Sequence, residues 1–145
     1  MKRNVKKLNK STKEQKVVIL DTDFLMHSID NKLNFIEEIR NLIEGPIRIC
    51  VVKSTLKELQ KISRNKSWKY SRTARLVLDL LKAEKIEVLD DDFINEKSTD
   101  KKIAILAKKM SGIVATDDKE FRRKLLKEDI GVIFIRQKKK LILVG

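Results

Sequence analysis

The sequence predicts an α/β protein whose mostly parallel central sheet is covered by helices on both faces. Short apolar runs such as VVIL and IRICVV have the continuous hydrophobicity of strands that are buried on both faces. Segments with a helical spacing of apolar residues alternate with these runs. The chain has 145 residues and no internal repeat, which indicates one domain around one core.

The N-terminal segment differs from the rest of the chain in composition. Seven of residues 1–16 are Lys or Arg and few are apolar, a pattern typical of a flexible basic arm. We expect this arm to precede one folded domain over residues 17–145, because the first buried strand begins at Val17.

Predicted strands and helices then follow one another to the end of the chain. Ser54 or Thr55 is a candidate N-cap for the helix after IRICVV, and Ser98 or Thr99 for the helix before GIVAT. The predicted strands are VVIL, IRICVV, IEVL, GIVAT and VIFI, with a hairpin return through LILV. The predicted helices are FLMHSI, NFIEEIRNLIEG, STLKELQKI, RTARLVLDLLKAEK, STDKKIAILAKKMSG and DKEFRRKLLKEDIG.

Charge and composition restrict the class of partner. The 34 Lys and Arg residues against 21 Asp and Glu give a net charge of +13, which favours a polyanionic partner. No apolar run approaches the roughly 18 residues of a membrane span, and no secretory signal pattern follows the basic N-terminus. One cysteine, Cys50, and one histidine, His27, exclude an internal disulfide and a Cys/His zinc site. We therefore expect a cytoplasmic protein without a membrane partner.

Acidic residues fall where the predicted strands end. Asp21 and Asp23 follow VVIL, and Asp117 and Asp118 follow GIVAT. In an open α/β sheet, ligands bind at the carboxyl ends of the strands, so these four side chains are expected at one edge.

Two helices add carboxylates to the same edge. Asp100 lies in the first turn of the helix before GIVAT, and Glu58 lies near the start of the helix after IRICVV. Crowded carboxylates repel one another unless a cation lies among them. Oxygen ligands without Cys or His suit Mg²⁺ or Mn²⁺, which can activate water and stabilise charge on a phosphodiester.

Each of these residues also has a purely structural interpretation. An Asp at a strand end is often only a helix cap, and Glu58 alone fits a solvated helix position. We interpret Asp90, Asp91 and Asp92 as surface or capping residues of a connecting loop, and His27 as a helix residue near the core.

Four segments in order, VVILDTDFLM, CVVKSTLKELQKI, STDKKIAILAKK and GIVATDDKEFRRKLL, resemble the four acidic motifs of PIN-domain ribonucleases. The resemblance spans residues 17 to about 135. It implies a three-layer fold with a five-stranded parallel sheet between helices, and Mg²⁺- or Mn²⁺-dependent endonuclease activity on RNA. Metal-activated water is then the nucleophile. Carried over by position, the catalytic and metal-binding acids are Asp21, Glu58, Asp100 and Asp118.

Three further residues flank the site in this resemblance: Asp23, Thr116 and Asp117 act as supporting residues. Two positions depart from the family pattern. Asp23 stands where many members have Asn, which bears on metal affinity. Lys101 stands where many members have a second acid, which argues against a fully occupied second metal site.

Two branches of the family compete. The stretch from Cys50 to Leu81 and the tail GVIFIRQKKKLIL are similar to PIN nucleases that cleave pre-ribosomal RNA in the small-subunit processome. This branch, which we favour, implies an rRNA precursor as substrate and a ribosome-assembly partner. Toxins of bacterial and archaeal toxin–antitoxin pairs share the four acids, and that alternative implies an antitoxin partner. PIN relatives are also commonly homodimers.

Two alternative interpretations lie outside the nuclease class. Some PIN-like domains bind RNA or protein partners without cleavage. The motif DTD after an apolar strand also resembles haloacid-dehalogenase-like phosphatases, in which Asp21 would be phosphorylated and Asp23 would act as acid.

RNA contacts are expected from cations near the predicted site, with single-stranded or loop RNA as the preferred form. Trp68 lies in the basic connection SRNKSWKYS with Tyr70, where either ring could stack on an unpaired base or pack on a helix. The predicted RNA-binding residues are Arg64, Lys66, Trp68, Lys69, Arg72, Arg122 and Arg123.

Overall fold

A computed structural model describes residues 15–145, which fold as one sheet between two layers of helices. Most of the predicted arm, residues 1–14, lies outside the described residues. The strands are β1 Lys16–Leu20, β2 Ile47–Val52, β3 Glu87–Leu89, β4 Ile113–Ala115, β5 Gly131–Arg136 and β6 Lys140–Val144. The helices are α1 Thr22–Asp30, α2 Phe35–Leu42, α3 Lys53–Arg64, α4 Ser71–Ala83, α5 Thr99–Lys109 and α6 Lys119–Lys127.

The sheet has the order β3-β2-β1-β4-β5-β6, and the first five of these strands are mutually parallel. The mostly parallel α/β prediction is therefore confirmed, but the sheet has six strands instead of five. The difference arises because the predicted hairpin return pairs along its full length with β5, from Val132 opposite Val144 to Arg136 opposite Lys140. It thus becomes an antiparallel edge strand of the same sheet.

Side chains of β1 alternate between the two faces of the sheet, which places a core on each side. Val18 and Leu20 pack with residues of α1 to α4, whereas Val17 and Ile19 pack with residues of α5 and α6. Both layers are closed to water, since Val18, Ile19 and Leu20 have no exposed surface. Burial of these β-branched and apolar runs explains why the strands lack polar alternation.

The N-terminal ends of α3 and α5 can be compared with the N-caps that the sequence predicts. Ser98 is the N-cap of α5, and its hydroxyl accepts a hydrogen bond from the Lys101 N–H, as predicted. At α3 the prediction is wrong, because the N-cap position is Val52 and no side chain of the segment caps it. The Ser54 N–H instead donates to the carboxylate of Asp91 at 3.3 Å, so a residue 37 positions away satisfies the helix end.

The chain reverses its direction of winding across the sheet between β1 and β4. Strands β2 and β3 add to one side of β1, whereas β5 and β6 add to one side of β4. Such a switch point opens a crevice at the carboxyl ends of the two central strands. The Asp21 N–H donates to the Ala115 carbonyl at 2.9 Å, which joins the two strand ends there. Within residues 15–145, no helix is long and apolar enough to cross a membrane.

Candidate active site

The carboxylate of Asp21 is held from both sides where β1 ends. It is 6% exposed, and one oxygen accepts a 2.9 Å hydrogen bond from the Thr22 N–H at the start of α1. The other oxygen accepts a 2.8 Å bond from the hydroxyl of Thr116, which follows β4 and is completely buried. The carboxylate therefore has one fixed orientation at the switch point.

Thr116 organises the residues that follow it as well. Its hydroxyl oxygen accepts a 3.2 Å hydrogen bond from the Asp118 N–H, and it lies 3.3 Å from an oxygen of Asp23. That same Asp23 oxygen accepts a 3.2 Å bond from the Asp117 N–H. The ends of β1 and β4 thus form one hydrogen-bonded unit.

Asp117 and Asp118 are adjacent in sequence but have different environments. Asp117 accepts from the Ile135 N–H of β5 at 2.8 Å and from the His27 ring at 2.8 Å, so both of its oxygens are engaged. One oxygen of Asp118 caps α6 by accepting from the N–H groups of Glu120 and Phe121. Its other oxygen has no protein partner among the described residues, which leaves Asp118 the better placed of the two to bind a cation.

Helices α3 and α5 bring the remaining acids to the same place. Glu58 accepts a 3.3 Å hydrogen bond from the Thr22 hydroxyl, and Asp100 lies in the first turn of α5. All four motif acids line one groove of about 420 Å³. The groove is lined by Asp21, Thr22, Asp23, Met26, His27, Asp30, Glu58, Ile62, Trp68, Tyr70, Asp100 and Asp118.

Burial and mutual repulsion perturb these acids. Desolvation raises the pKa of Asp21 to about 8, with the negative charge of Asp23 as the next cause. Burial also raises the pKa of Asp23. The pKa of Asp100 is raised by burial and then by the charges of Asp118, Asp23 and Glu58. The groove therefore disfavours its own negative charge unless a cation enters.

No ion pair within the described residues supplies that charge. None of the ion pairs formed within residues 15–145 reaches the carboxylates of the motif acids or of Asp23, despite the net charge of +13. Most of the potential ligand atoms that line the groove are carboxylate and hydroxyl oxygens, the ligand chemistry of Mg²⁺ or Mn²⁺, and His27 adds one imidazole. The side chains that line the groove therefore fit a divalent metal ion.

A second acidic cluster follows β3. Within the described part of the chain, the three carboxylates whose oxygens lie within 4.8 Å of one another are those of Asp90, Asp91 and Asp92. Lys53 pairs with Asp92 at 2.6 Å, and Lys102 lies 4.0 Å from the completely buried Asp91. Two of these three acids, Asp91 and Asp92, thus already have a lysine partner, and Asp90 accepts a hydrogen bond from the Asp92 N–H. The acids of the groove are spaced more widely, which leaves room for a hydrated ion.

His27 differs from its expected place near the core. Its side chain is 54% exposed and lies in the groove, with Nδ1 2.8 Å from an oxygen of Asp117. The helical pattern of FLMHSI could not locate it, because a lone polar residue among apolar ones fits either face of α1. The histidine is the functional candidate that sequence reasoning missed.

The predicted RNA-binding residues divide between two surfaces. Trp68 and Tyr70 line the groove, 42% and 37% exposed, with their rings in edge contact at 5.3 Å. Arg122 and Arg123 lie on α6 beside a separate basic cleft, and the Arg122 guanidinium stacks on Phe134 at 3.9 Å. The other four lie exposed in or next to the connection that carries Trp68, outside the groove lining: Arg64, Lys66, Lys69 and Arg72.

Comparisons with known proteins agree with this architecture. Ribonuclease VapC4 of Methanocaldococcus jannaschii is 29% identical over 123 residues, which cover 84% of this chain and 92% of that protein. Ribonuclease VapC9 of Archaeoglobus fulgidus is 30% identical over 122 residues, covering 84% of each chain. The structure of the PIN domain endonuclease Utp24 superposes with a TM-score of 0.71 at 20% identity, over 88% of this chain and 90% of the other. The family model described as PIN like domain matches residues 18–138, so this chain belongs to the PIN-like domain family.

Proposed function

We propose that this protein is a metal-dependent endoribonuclease that hydrolyses phosphodiester bonds of single-stranded or loop RNA in the acidic groove. One observation carries the proposal: carboxylates that form no ion pair among residues 15–145 are gathered in a groove of a chain whose net charge is +13. A divalent ion neutralises such a groove, and the surrounding cations attract a polyanion. The names of the two VapC relatives support RNA as the substrate class.

Asp21, Asp100, Asp118 and Glu58 would hold Mg²⁺ or Mn²⁺, directly or through water. When bound, such an ion activates water and neutralises charge that develops on the phosphodiester. The unpaired oxygen of Asp118 and the exposed carboxylate of Glu58 are free to turn toward an ion. Lys101 faces a neighbouring cleft that shares Asp100 and Asp118 with the groove, which favours one fully occupied site over two.

The remaining residues of the site orient these ligands. The Thr116 hydroxyl donates a hydrogen bond to one oxygen of Asp21 and fixes its position. The same hydroxyl oxygen accepts a hydrogen bond from the Asp118 N–H. The Asp23 carboxylate accepts a hydrogen bond from the Asp117 N–H, which holds the segment after β4 in contact with α1. Preorganised ligands lower the cost of assembling the site when the substrate arrives.

The RNA strand would enter past Trp68 and Tyr70. Exposed aromatic faces next to a groove stack on unpaired bases, and a single strand can bend its phosphate toward the acids where an A-form duplex cannot. Cations next to the two rings and cations of the separate basic cleft on α6 would then contact phosphates without sequence preference. The first group is Arg64, Lys66, Lys69 and Arg72, and the second is Arg122 and Arg123.

The biological substrate has two candidates. The motif resemblance favours an rRNA precursor and a ribosome-assembly partner. The similarity to Utp24, at 20% identity, supports the fold alone. Two curated relatives at 29% and 30% identity carry the VapC name, which favours a toxin–antitoxin role with an antitoxin partner. A homodimer remains a prediction in either case.

Two other functions fit the site less well. A phosphatase nucleophile at position 21 would have to be accessible, whereas Asp21 is 6% exposed and both of its oxygens accept hydrogen bonds. RNA binding alone does not explain why acids are gathered in a groove where burial and repulsion raise the pKa of Asp21 to about 8. Cleavage is therefore the proposal that accounts for the acids.

The test is cleavage of an end-labelled RNA with a single-stranded tail and a hairpin, in Mn²⁺, Mg²⁺ or EDTA. We expect internal cuts in the single-stranded part with either ion and none in EDTA. Asp118→Asn should abolish the cuts. Asp129→Asn, a matched change at an exposed acid outside the groove, should not. Binding without any cleavage would identify a non-catalytic RNA-binding domain.

A further inference from the structure

One ring nitrogen of His27, Nδ1, is hydrogen-bonded, and the other has no partner among the described residues. Asp117 accepts the Ile135 N–H with one oxygen and contacts Nδ1 of His27 at 2.8 Å with the other. An ionised carboxylate only accepts hydrogen bonds, so Nδ1 carries the hydrogen. Asp117 is 11% exposed and anchored to β5, so it fixes the ring as well as the tautomer.

The other nitrogen, Nε2, belongs to a side chain that is 54% exposed and lines the acidic groove. In the neutral ring this nitrogen accepts a hydrogen bond. Phosphate oxygens are acceptors and cannot satisfy it, and no groove side chain among the described residues hydrogen-bonds it. Within the sugar–phosphate backbone of RNA, the 2′-hydroxyl is the group that donates, and DNA lacks it.

We propose that His27, positioned by Asp117, makes the groove selective for RNA over DNA by hydrogen-bonding a ribose 2′-hydroxyl of the bound strand. The inference rests on the proposed function, because it concerns a sugar of the strand in the same groove. The 2′-hydroxyl both donates and accepts, so the contact forms with the neutral ring and with the protonated one. A phosphate contact would not distinguish the two nucleic acids.

The first test measures binding of a single-stranded RNA and of the DNA of the same sequence by fluorescence anisotropy. It uses the full chain in the Asp21→Asn background, in which bound RNA stays intact. Loss of one hydrogen bond predicts that His27→Ala weakens RNA binding about three- to tenfold and changes DNA binding less than about twofold. His27→Gln, which keeps an acceptor, should retain more of the RNA preference than His27→Ala.

The second test locates the contact by replacing one ribonucleotide at a time with its deoxy form. One position should weaken binding to the His27 protein as much as His27→Ala does, and the same replacement should have no effect on His27→Ala. Equal losses for RNA and DNA would instead assign His27 to a phosphate. Deoxy effects that persist in His27→Ala would also overturn the proposal.

The two proposals fail differently. If the wild-type protein neither binds nor cuts RNA, the proposed function is wrong. If it cuts RNA with a metal ion while the deoxy replacements act alike in both proteins, only the role of His27 is wrong. Thermal melting of His27→Ala should match the wild type, because the side chain is largely exposed and lies outside both hydrophobic cores.

Discussion

The hydroxyl of Thr116 donates a 2.8 Å hydrogen bond to Asp21 across 95 residues of sequence. This contact joins the carboxyl ends of the two central strands, where the sheet changes its direction of winding. Because the hydroxyl is completely buried, water cannot replace it as a partner for the Asp21 carboxylate.

Thr116→Val should therefore reduce both stability and cleavage. The change keeps the side-chain volume but removes a donor to Asp21 and an acceptor for the Asp118 N–H. We expect the free energy of unfolding to fall by about 1–2 kcal/mol in a urea titration. Thr55→Val is the matched control, since its buried hydroxyl has no partner among the described residues and its loss should be neutral or stabilising. Equal destabilisation by both changes would contradict the role assigned to Thr116.

Asp21→Asn should stabilise the metal-free protein as the pH rises. Folding raises the pKa of Asp21 from 3.8 to about 8, so between these values the native state keeps a proton that the unfolded chain releases. This contribution to wild-type stability is complete below pH 3.8 and is lost as the pH rises through about 8. The variant lacks the titration, so it should match the wild type near pH 5 and exceed it by on the order of 4 kcal/mol at pH 9, since each pH unit up to the pKa of Asp21 contributes about 1.4 kcal/mol.

The measurement is chemical unfolding in EDTA at several pH values, with cleavage assayed in Mn²⁺. Asp129→Asn controls for the general effect of removing a surface acid. A pH-independent difference between Asp21→Asn and the wild type, or full cleavage activity in the variant, would refute the assignment of Asp21.

Metal binding should tighten with pH for the same reason. A cation needs the ionised form of Asp21, and a pKa of about 8 means that binding releases a proton at neutral pH. The Kd for Mn²⁺ should fall by up to about tenfold per pH unit between pH 6 and 8, and then level off. Calorimetry in buffers of different ionisation enthalpy would show the proton release. A Kd that is constant from pH 6 to 9 would mean that Asp21 is not a ligand.

The sequence was sufficient to predict most of the scaffold and where the motif acids lie. Continuous apolar runs identify the parallel strands, and acids placed at strand ends must meet at one edge whatever the details of packing. The number of strands was wrong because LILV could end as a loose hairpin or pair along its length with β5. The continuous pairing from Val132 opposite Val144 to Arg136 opposite Lys140 decides this, and it is visible only in the structure.

Other features depended on contacts between distant residues. The letters DDD at positions 90–92 give no sign that Asp91 is buried while its neighbours are exposed. Its burial follows from the Ser54 N–H at the uncapped start of α3 and from Lys102 on α5. His27 was misplaced for the same reason, because its position depends on Asp117, 90 residues later.

RNA affinity should depend steeply on salt, with part of that dependence due to the N-terminal segment. Residues 1–14 contain six Lys or Arg and one Glu, and each phosphate they neutralise releases a counterion. A variant that begins at Gln15 should show a shallower slope of log affinity against log salt, with an unchanged melting temperature. An unchanged slope would exclude this segment from the RNA contact, and a large loss of stability would show that it belongs to the fold.

Trp68→Ala should weaken cleavage of single-stranded RNA through KM. The ring is 42% exposed, touches Tyr70 edge-on and lines the acidic groove, so it presents a free face to an unpaired base. Loss of one stacked base corresponds to ~1–3 kcal/mol, which should appear as a higher KM with kcat little changed.

Phe93→Ala is the matched control for Trp68→Ala, because Phe93 is a more exposed aromatic residue, at 62%, and lies outside the groove lining. It should leave KM unchanged. Melting of Trp68→Ala should fall only slightly, since much of the ring already faces water. A large loss of stability with normal cleavage would assign Trp68 to packing against its neighbours. Equal cleavage of a continuous duplex and a single strand would contradict the proposal that Trp68 stacks on an unpaired base of the substrate.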